Sequence, residues 1–149
     1  IITGANNTGA PSDYRLAGYK QTMEKYGAEK TILQIDNGTS TTLKNLEIER
    51  LLQNKTVDGI FCTDDLTAIT VMNIAQKLKI SIPEELKVIG YDGTKLIKRI
   101  APQLSTIVQP IDEMCDVMID LLLRRMMDPD VALEENYPIP IQLSLSESC

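Results

Sequence analysis

Three aspartates follow two short apolar runs in the middle of the chain. Asp64 and Asp65 follow the run 59–62 after Thr63, and Asp92 follows the run 87–90 after Tyr91. A long apolar helix pattern lies between the runs, so this stretch is typical of a strand, a helix and a second strand. Such a unit is nearly always a right-handed parallel crossover, and ligands in open α/β sheets bind at the carboxyl ends of the strands. The sequence therefore predicts a ligand site at this edge, with Asp64 and Asp92 as contacts.

Two charged residues near the starts of predicted helices have more than one interpretation. Asp65 stands at the beginning of the helix pattern, where an aspartate caps free backbone N–H groups, and we expect it to act mainly as that cap. Arg15 lies in the first turn of a helix predicted at 12–26, where a cation meets the unfavourable positive end of the helix dipole. It is either an exposed side chain beside a carboxylate or an arginine that reaches into the cleft to bind hydroxyl groups.

The composition excludes several kinds of site. The 149 residues include 15 Lys and Arg against 21 Asp and Glu, which gives a net charge of −6, and there is no His. An acidic chain lacks the surface that neutralises phosphates, so these residues by themselves should not bind DNA. A glycosidase-like acid/base role for Asp64 and Asp92 is unsupported, because no nucleophile, His or metal cluster accompanies them. We expect no cofactor, no metal and no enzymatic activity.

Cysteine usage and hydropathy indicate a cytoplasmic setting. The three cysteines are scattered and odd in number, which is typical of reduced structural thiols. No apolar run approaches the roughly 20 residues that a membrane span needs, so no membrane partner is expected. The chain lacks a starting Met and begins like the tail of a strand, so we expect a fragment cut on its N-terminal side.

The remaining elements alternate between strand and helix. Strands are predicted at 31–35, 57–62, 87–90 and 104–108, and helices at 12–26, 40–53 and 65–78, the last apolar on most of its circumference. This order predicts the α/β class, a parallel sheet with helices on both faces. The 65–78 helix should pack on the sheet and also on a partner chain or a second lobe. After Pro110 come a helix at 111–127 and an extended run at 137–145, whose prolines suit an edge strand.

Five strings in this order and spacing resemble the effector-binding core of LacI/GalR-type transcriptional regulators. They are RLAGY at 15–19, TDD at 63–65, IPEEL at 82–86, VIGYD at 88–92 and PQLSTIVQP at 102–110. The resemblance implies a type I periplasmic-binding-protein fold, truncated at its N-terminal side. It makes residues 1–108 the C-terminal lobe, 109–136 a crossover and a helix of the N-terminal lobe, and 137–149 a returning strand and tail.

The resemblance also implies a function and a set of ligand contacts. It indicates a sugar-responsive repressor that binds a small carbohydrate or sugar phosphate, forms a homodimer and binds operator DNA through a helix-turn-helix absent here. The alternative is an extracytoplasmic sugar-binding protein of a transport system, which shares the fold. Two departures are Asp64, where many relatives carry Asn, and Ser146, where relatives often carry Arg. The family's ligand contacts fall on Arg15, Asn37, Asp64, Asp92 and Gln109.

Overall fold

The computed structural model describes residues 1–4, 11–36, 38–134 and 136–149 and shows a mostly parallel sheet. The strands are β1 (Ile2–Gly4), β2 (Leu33–Ile35), β3 (Gly59–Phe61), β4 (Lys87–Asp92), β5 (Ser105–Val108) and β6 (Gln142–Ser144). The β1 strand pairs with β2 in parallel, and β3, β4 and β5 form a parallel ladder that ends with β6, antiparallel to β5. A parallel bridge between Ile2 and Cys62 joins the two groups, so the order is β2-β1-β3-β4-β5-β6. The predicted α/β class is confirmed.

The helices follow the predicted pattern, with one addition. A six-residue helix, α4 (Lys95–Ile100), was not predicted, because a segment this short carries no measurable apolar period. The hydroxyl of Thr94 caps its first turn. The predicted extended run 137–145 was too long, since only its last part pairs with β5. Pro138 and Pro140 have no N–H to donate to a ladder, and the strand begins after them. The helices are α1 (Pro11–Lys25), α2 (Thr41–Gln53), α3 (Asp65–Lys77), α4 (Lys95–Ile100) and α5 (Ile111–Met127).

The core lies between α3, α2 and the sheet. On α3, Val71 and Ala75 are fully buried against β4, whose Val88 is also fully buried. A second side of α3 packs on α2, which contributes Ile48 and Leu52 to the same core. Part of the second buried surface that we predicted for this helix is therefore supplied by α2 of the same chain. The packing of this helix on a partner chain or a second lobe stays a prediction.

The C-terminal tail closes the sheet between β4 and β5. The N–H of Val88 donates to the Ser148 carbonyl oxygen at 2.7 Å, and the N–H of Ser148 donates to the Gln103 carbonyl oxygen at 2.9 Å. The Ser148 hydroxyl donates to the Val88 carbonyl oxygen at 2.6 Å and accepts from the N–H of Ser105 at 2.8 Å. Since β5 begins only at Ser105, this serine takes the place of an additional strand residue beside β4.

The α5 helix differs from the others because none of its residues is buried. Its apolar side chains are largely exposed, among them Met118, Ile119, Leu122 and Met126. Asp112 and Glu113 in the first turn and Arg124 and Arg125 in the last turn match the helix dipole, as predicted. Over the described ranges, no helix is both long and apolar enough to cross a membrane.

Candidate functional site

Two of the predicted ligand contacts meet at the carboxyl ends of β4 and β5. The side-chain amide of Gln109 donates to Oδ1 of Asp92 at 2.6 Å. The backbone N–H of Gln109 also donates to the Asp92 carbonyl oxygen, at 3.1 Å. Asp92 has a φ of +128°, which L-residues rarely adopt, and Gly93 follows with a φ of +61°. The structure therefore brings Asp92 and Gln109 together through two hydrogen bonds.

Arg15 reaches the same edge of the sheet from α1. Its Nη1 donates to the Thr63 carbonyl oxygen at 2.7 Å, and its guanidinium lies 3.7 Å from the centroid of the Tyr91 ring. The structure places the Arg15 guanidinium at the strand ends. Its binding of hydroxyl groups there stays a prediction. Cation–π stacking restrains the guanidinium, because the ring face attracts the cation. Our interpretation of the sequence missed Tyr91, although its position directly before Asp92 on the same strand was a usable signal.

The electrostatics of Asp92 combine burial with opposing neighbours. Burial raises the pKa of Asp92 above its ordinary value, because desolvation disfavours the carboxylate. The hydrogen bond from Gln109 and the charge of Arg15 lower the pKa, and the nearby Asp65 and Asp64 raise it further, so burial decides the net direction. A half-buried carboxylate beside a guanidinium and an amide is suited to binding neutral polar groups such as hydroxyls.

Asp64, rather than Asp65, caps the helix α3. Asp64 has an extended backbone and is the N-cap of α3: its Oδ1 accepts from the Thr67 N–H at 2.8 Å, and its Oδ2 accepts from the Thr67 hydroxyl at 2.7 Å. The prediction that Asp65 is the cap was wrong. Asp65 is the first residue of the helix proper, so its side chain turns towards the sheet, where it is 2% exposed.

Two cavities border this edge of the sheet. One of about 120 Å³ lies above β1, between α2 and α3, and includes Asp64 and Asn45 in its wall. The Asn45 Oδ1 atom is buried there, and among the residues that the structure describes it has no hydrogen-bond partner. A second, of about 590 Å³, lies beside Gln109, between the start of α4 and the start of α5. The predicted contact Asn37 falls outside the described residues.

In the part of the chain that the structure describes, no group of three or more His, Cys, Asp or Glu side chains is arranged to hold a metal ion. The thiol of Cys62 is fully buried, and burial raises its pKa, because an apolar environment disfavours the thiolate. At the carboxyl edge of the sheet, hydrogen-bonding groups and charges are therefore supplied by Arg15, Asp92 and Gln109.

Comparison with known proteins identifies the family. A model of the periplasmic binding protein-like domain matches residues 1–149. The chain belongs to this family. Its relatives within the periplasmic binding protein-like domain family include the sucrose operon repressor of Streptococcus mutans, 38% identical over 148 residues, which are 99% of this chain and 44% of the repressor. The sucrose operon repressor of Pediococcus pentosaceus is 36% identical over 143 residues, 96% of this chain and 44% of that protein. The chain thus spans less than half the length of these curated relatives.

Solved structures of the periplasmic binding protein-like type share the fold. A periplasmic binding protein/LacI transcriptional regulator from Alkaliphilus metalliredigens, complexed with D-xylulofuranose, superposes with a TM-score of 0.78 at 30% identity, over 99% of this chain and 55% of that one. A LacI family regulator from Enterococcus faecium with bound ribose gives a TM-score of 0.78 at 26% identity, with the same coverage. The predicted fold and the predicted resemblance to LacI/GalR-type regulators are confirmed.

Proposed function

We propose that this chain is the effector-binding and dimerisation core of a LacI-type transcriptional repressor that senses a small carbohydrate or sugar phosphate and regulates sugar-utilisation genes. The observation that carries the proposal is the cluster of Arg15, Asp92 and Gln109 at the carboxyl edge of the sheet. It occurs in a chain that is 38% identical to a sucrose operon repressor. That relationship favours a regulator over a transport protein and over an enzyme.

The chemistry of the cluster suits a sugar. A carboxylate accepts hydrogen bonds from two adjacent hydroxyl groups, and a guanidinium donates to hydroxyl or phosphate oxygens. In this proposal Asp92 accepts from the sugar, Arg15 donates to it, and Gln109 contacts it while holding Asp92 in place. Asp64 keeps lone pairs beyond those that accept from Thr67, and it contacts the sugar at the edge of the smaller cavity. Asn37 remains a proposed contact on resemblance alone.

The regulatory step requires a second lobe. We assign residues 1–108 to the C-terminal lobe, 109–136 to a crossover and a helix of the N-terminal lobe, and 137–149 to the returning strand and tail. The exposed apolar face of α5 supports this assignment, because such a face is stable only when it is covered. A sugar held between the lobes shifts the equilibrium between the open and closed states only because its affinity for the two states differs.

The partners follow from the same proposal. Operator DNA is bound by a helix-turn-helix headpiece outside this chain, since the net charge of −6 does not favour contact with phosphates. The protein acts as a cytoplasmic homodimer. Exposed apolar side chains on α3 and α4, Leu66, Leu96 and Ile100, support a protein interface on this lobe.

The test is isothermal calorimetry on the full-length protein with sucrose, other disaccharides, monosaccharides and their phosphates. We expect one of them to bind with micromolar affinity, and Asp92→Ala and Arg15→Ala to abolish its binding. Asp130→Ala and Arg50→Ala are the matched controls, because they remove the same side chains from exposed positions away from the site. If no sugar binds, or if the two site variants bind as well as the controls, the proposed function is wrong.

A further inference from the structure

Asp65 has a buried carboxylate and is not among the residues that we propose as ligand contacts. Its Oδ2 accepts from the N–H of Gly93 at 2.7 Å, and its Oδ1 accepts from the Thr106 hydroxyl at 2.5 Å. A buried charge is costly unless it is paired or hydrogen-bonded, and these two donors supply that compensation. One of them, the Gly93 N–H, belongs to the peptide bond that directly follows Asp92.

The backbone around Asp92 needs such support. Asp92 and Gly93 have φ values of +128° and +61°, and non-glycine residues in such regions persist only when their surroundings hold them. The Asp92 carbonyl oxygen accepts from the N–H of Gln109 at 3.1 Å. This C=O and the Gly93 N–H belong to the same peptide unit, so Gln109 holds one side of that unit and Asp65 holds the other.

Gly90 and Gly93 leave space next to the Asp65 carboxylate and the Gly93 peptide unit, because neither residue has a Cβ. A Cβ on Gly90 would clash with Oδ1 of Asp65. A Cβ on Gly93 would lie 2.7 Å from Cα of Val108. Only glycine at position 90 leaves room for the Asp65 carboxylate, and glycine at position 93 lets the chain pass Val108 with a positive φ. Gly90 therefore makes room for the Asp65 carboxylate, and Gly93 allows the backbone path on which its N–H reaches that carboxylate.

We infer that Asp65 is a positioning residue, which fixes the Gly93 peptide unit and thereby the direction in which Asp92 presents its carboxylate to the effector. Asp65 does not contact the effector itself. This inference rests on the proposed function of Asp92 as a sugar ligand. It extends that function to a residue on a different element, because α3 sets the geometry of a contact on β4.

The experiment compares affinity with stability in the full-length protein, with sucrose as the first probe in calorimetry. Asp65→Ala removes the acceptor of the Gly93 N–H. Asp65→Asn restores it, because the amide oxygen accepts from Gly93 while the NH₂ group donates to the oxygen of the Thr106 hydroxyl. We expect Asp65→Ala to lose at least tenfold in sucrose affinity and Asp65→Asn to recover most of that loss. Thr106→Val removes the other donor to Asp65 and leaves the Gly93 bond, so we expect affinity within threefold of the parent. Ser148→Ala breaks buried hydrogen bonds of the same sheet away from the site, and it should lower stability without changing affinity.

The outcomes separate the positioning role from the proposed function. If Asp65→Ala binds sucrose as the parent does while Asp92→Ala does not, the positioning role is overturned and the proposed function stands. If the parent and Asp92→Ala bind sucrose equally well, the proposed function itself fails. Should Asp65→Ala not fold, Gly93→Ala tests the same step, since its Cβ displaces the peptide unit. A Gly93→Ala variant with unchanged affinity would also overturn the inference.

Discussion

The Ser148 hydroxyl should be worth more to stability than its position next to the last residue indicates. It donates to the Val88 carbonyl oxygen and accepts from the N–H of Ser105, and all three residues are buried. Ser148→Ala leaves a buried C=O and a buried N–H without these partners, at about 1–3 kcal/mol for each. We expect a total loss of about 2–4 kcal/mol in the free energy of unfolding, taking the lower part of each range.

Ser146→Ala is the matched control. The Ser146 hydroxyl donates to the Pro102 carbonyl oxygen at 2.8 Å, but this bond is exposed, so water replaces it at a cost below about 1 kcal/mol. The backbone N–H and C=O of Ser146 keep their bonds to the Ser105 hydroxyl in this variant. Both variants remove one hydroxyl from the same tail, and they differ in burial.

The assay is urea unfolding of the full-length protein followed by circular dichroism, with amide hydrogen exchange as a local measurement. With a urea slope of about 2 kcal/mol per M, the midpoint of Ser148→Ala should fall by roughly 1–2 M. The Ser105 amide should exchange faster, because its acceptor is gone. Equal midpoints for the two variants, with the Ser105 amide still protected, would falsify the idea that this hydroxyl completes the sheet.

Three further predictions concern single side chains. Sugar affinity should be full at neutral pH and fall as the pH drops through the pKa of Asp92; because burial raises that pKa, the fall should begin at a higher pH than for an ordinary aspartate. Calorimetry across the pH range tests this, and a flat profile for the parent would contradict it. Cys62 should resist thiol reagents in the native protein while the exposed Cys115 and Cys149 react, as counted by mass spectrometry; rapid modification of all three thiols would refute the burial. Asp64→Ala should cost about 1 kcal/mol through loss of the α3 cap, and Asp64→Asn should retain most of it; in urea unfolding, equal losses in both variants would refute the capping role.

Much of the fold could be predicted from the sequence because its signals are local. The 111–127 helix was predicted with the bounds that the structure has, since it follows Pro110 and carries acids in its first turn and bases in its last. The edge position of the last strand was also correct, but its length was not, because pairing with β5 depends on a neighbour distant in sequence. The α4 helix was not predicted, because its six residues are too few to show an apolar period.

The candidate site was likewise predicted from the sequence only in part. Asp92 and Gln109 were predicted from strand ends and from resemblance, and the structure places them within hydrogen-bonding distance. The identity of the capping residue was not predictable, since one residue of shift at a helix start decides which carboxylate accepts from the helix N–H groups and which faces the sheet.

The sequence by itself determined the alternation of strands and helices, and with it the edge at which the acidic residues collect, because apolar period and strand order follow from nearby residues. Only the tertiary structure decided what each polar group does there. Asp65 meets Gly93 and Thr106, and Ser148 meets Val88 and Ser105, across 28 to 60 residues of chain. A buried hydrogen bond of this kind forms only where two segments distant in sequence come together in the fold. A local pattern of residues does not predict which segments these are.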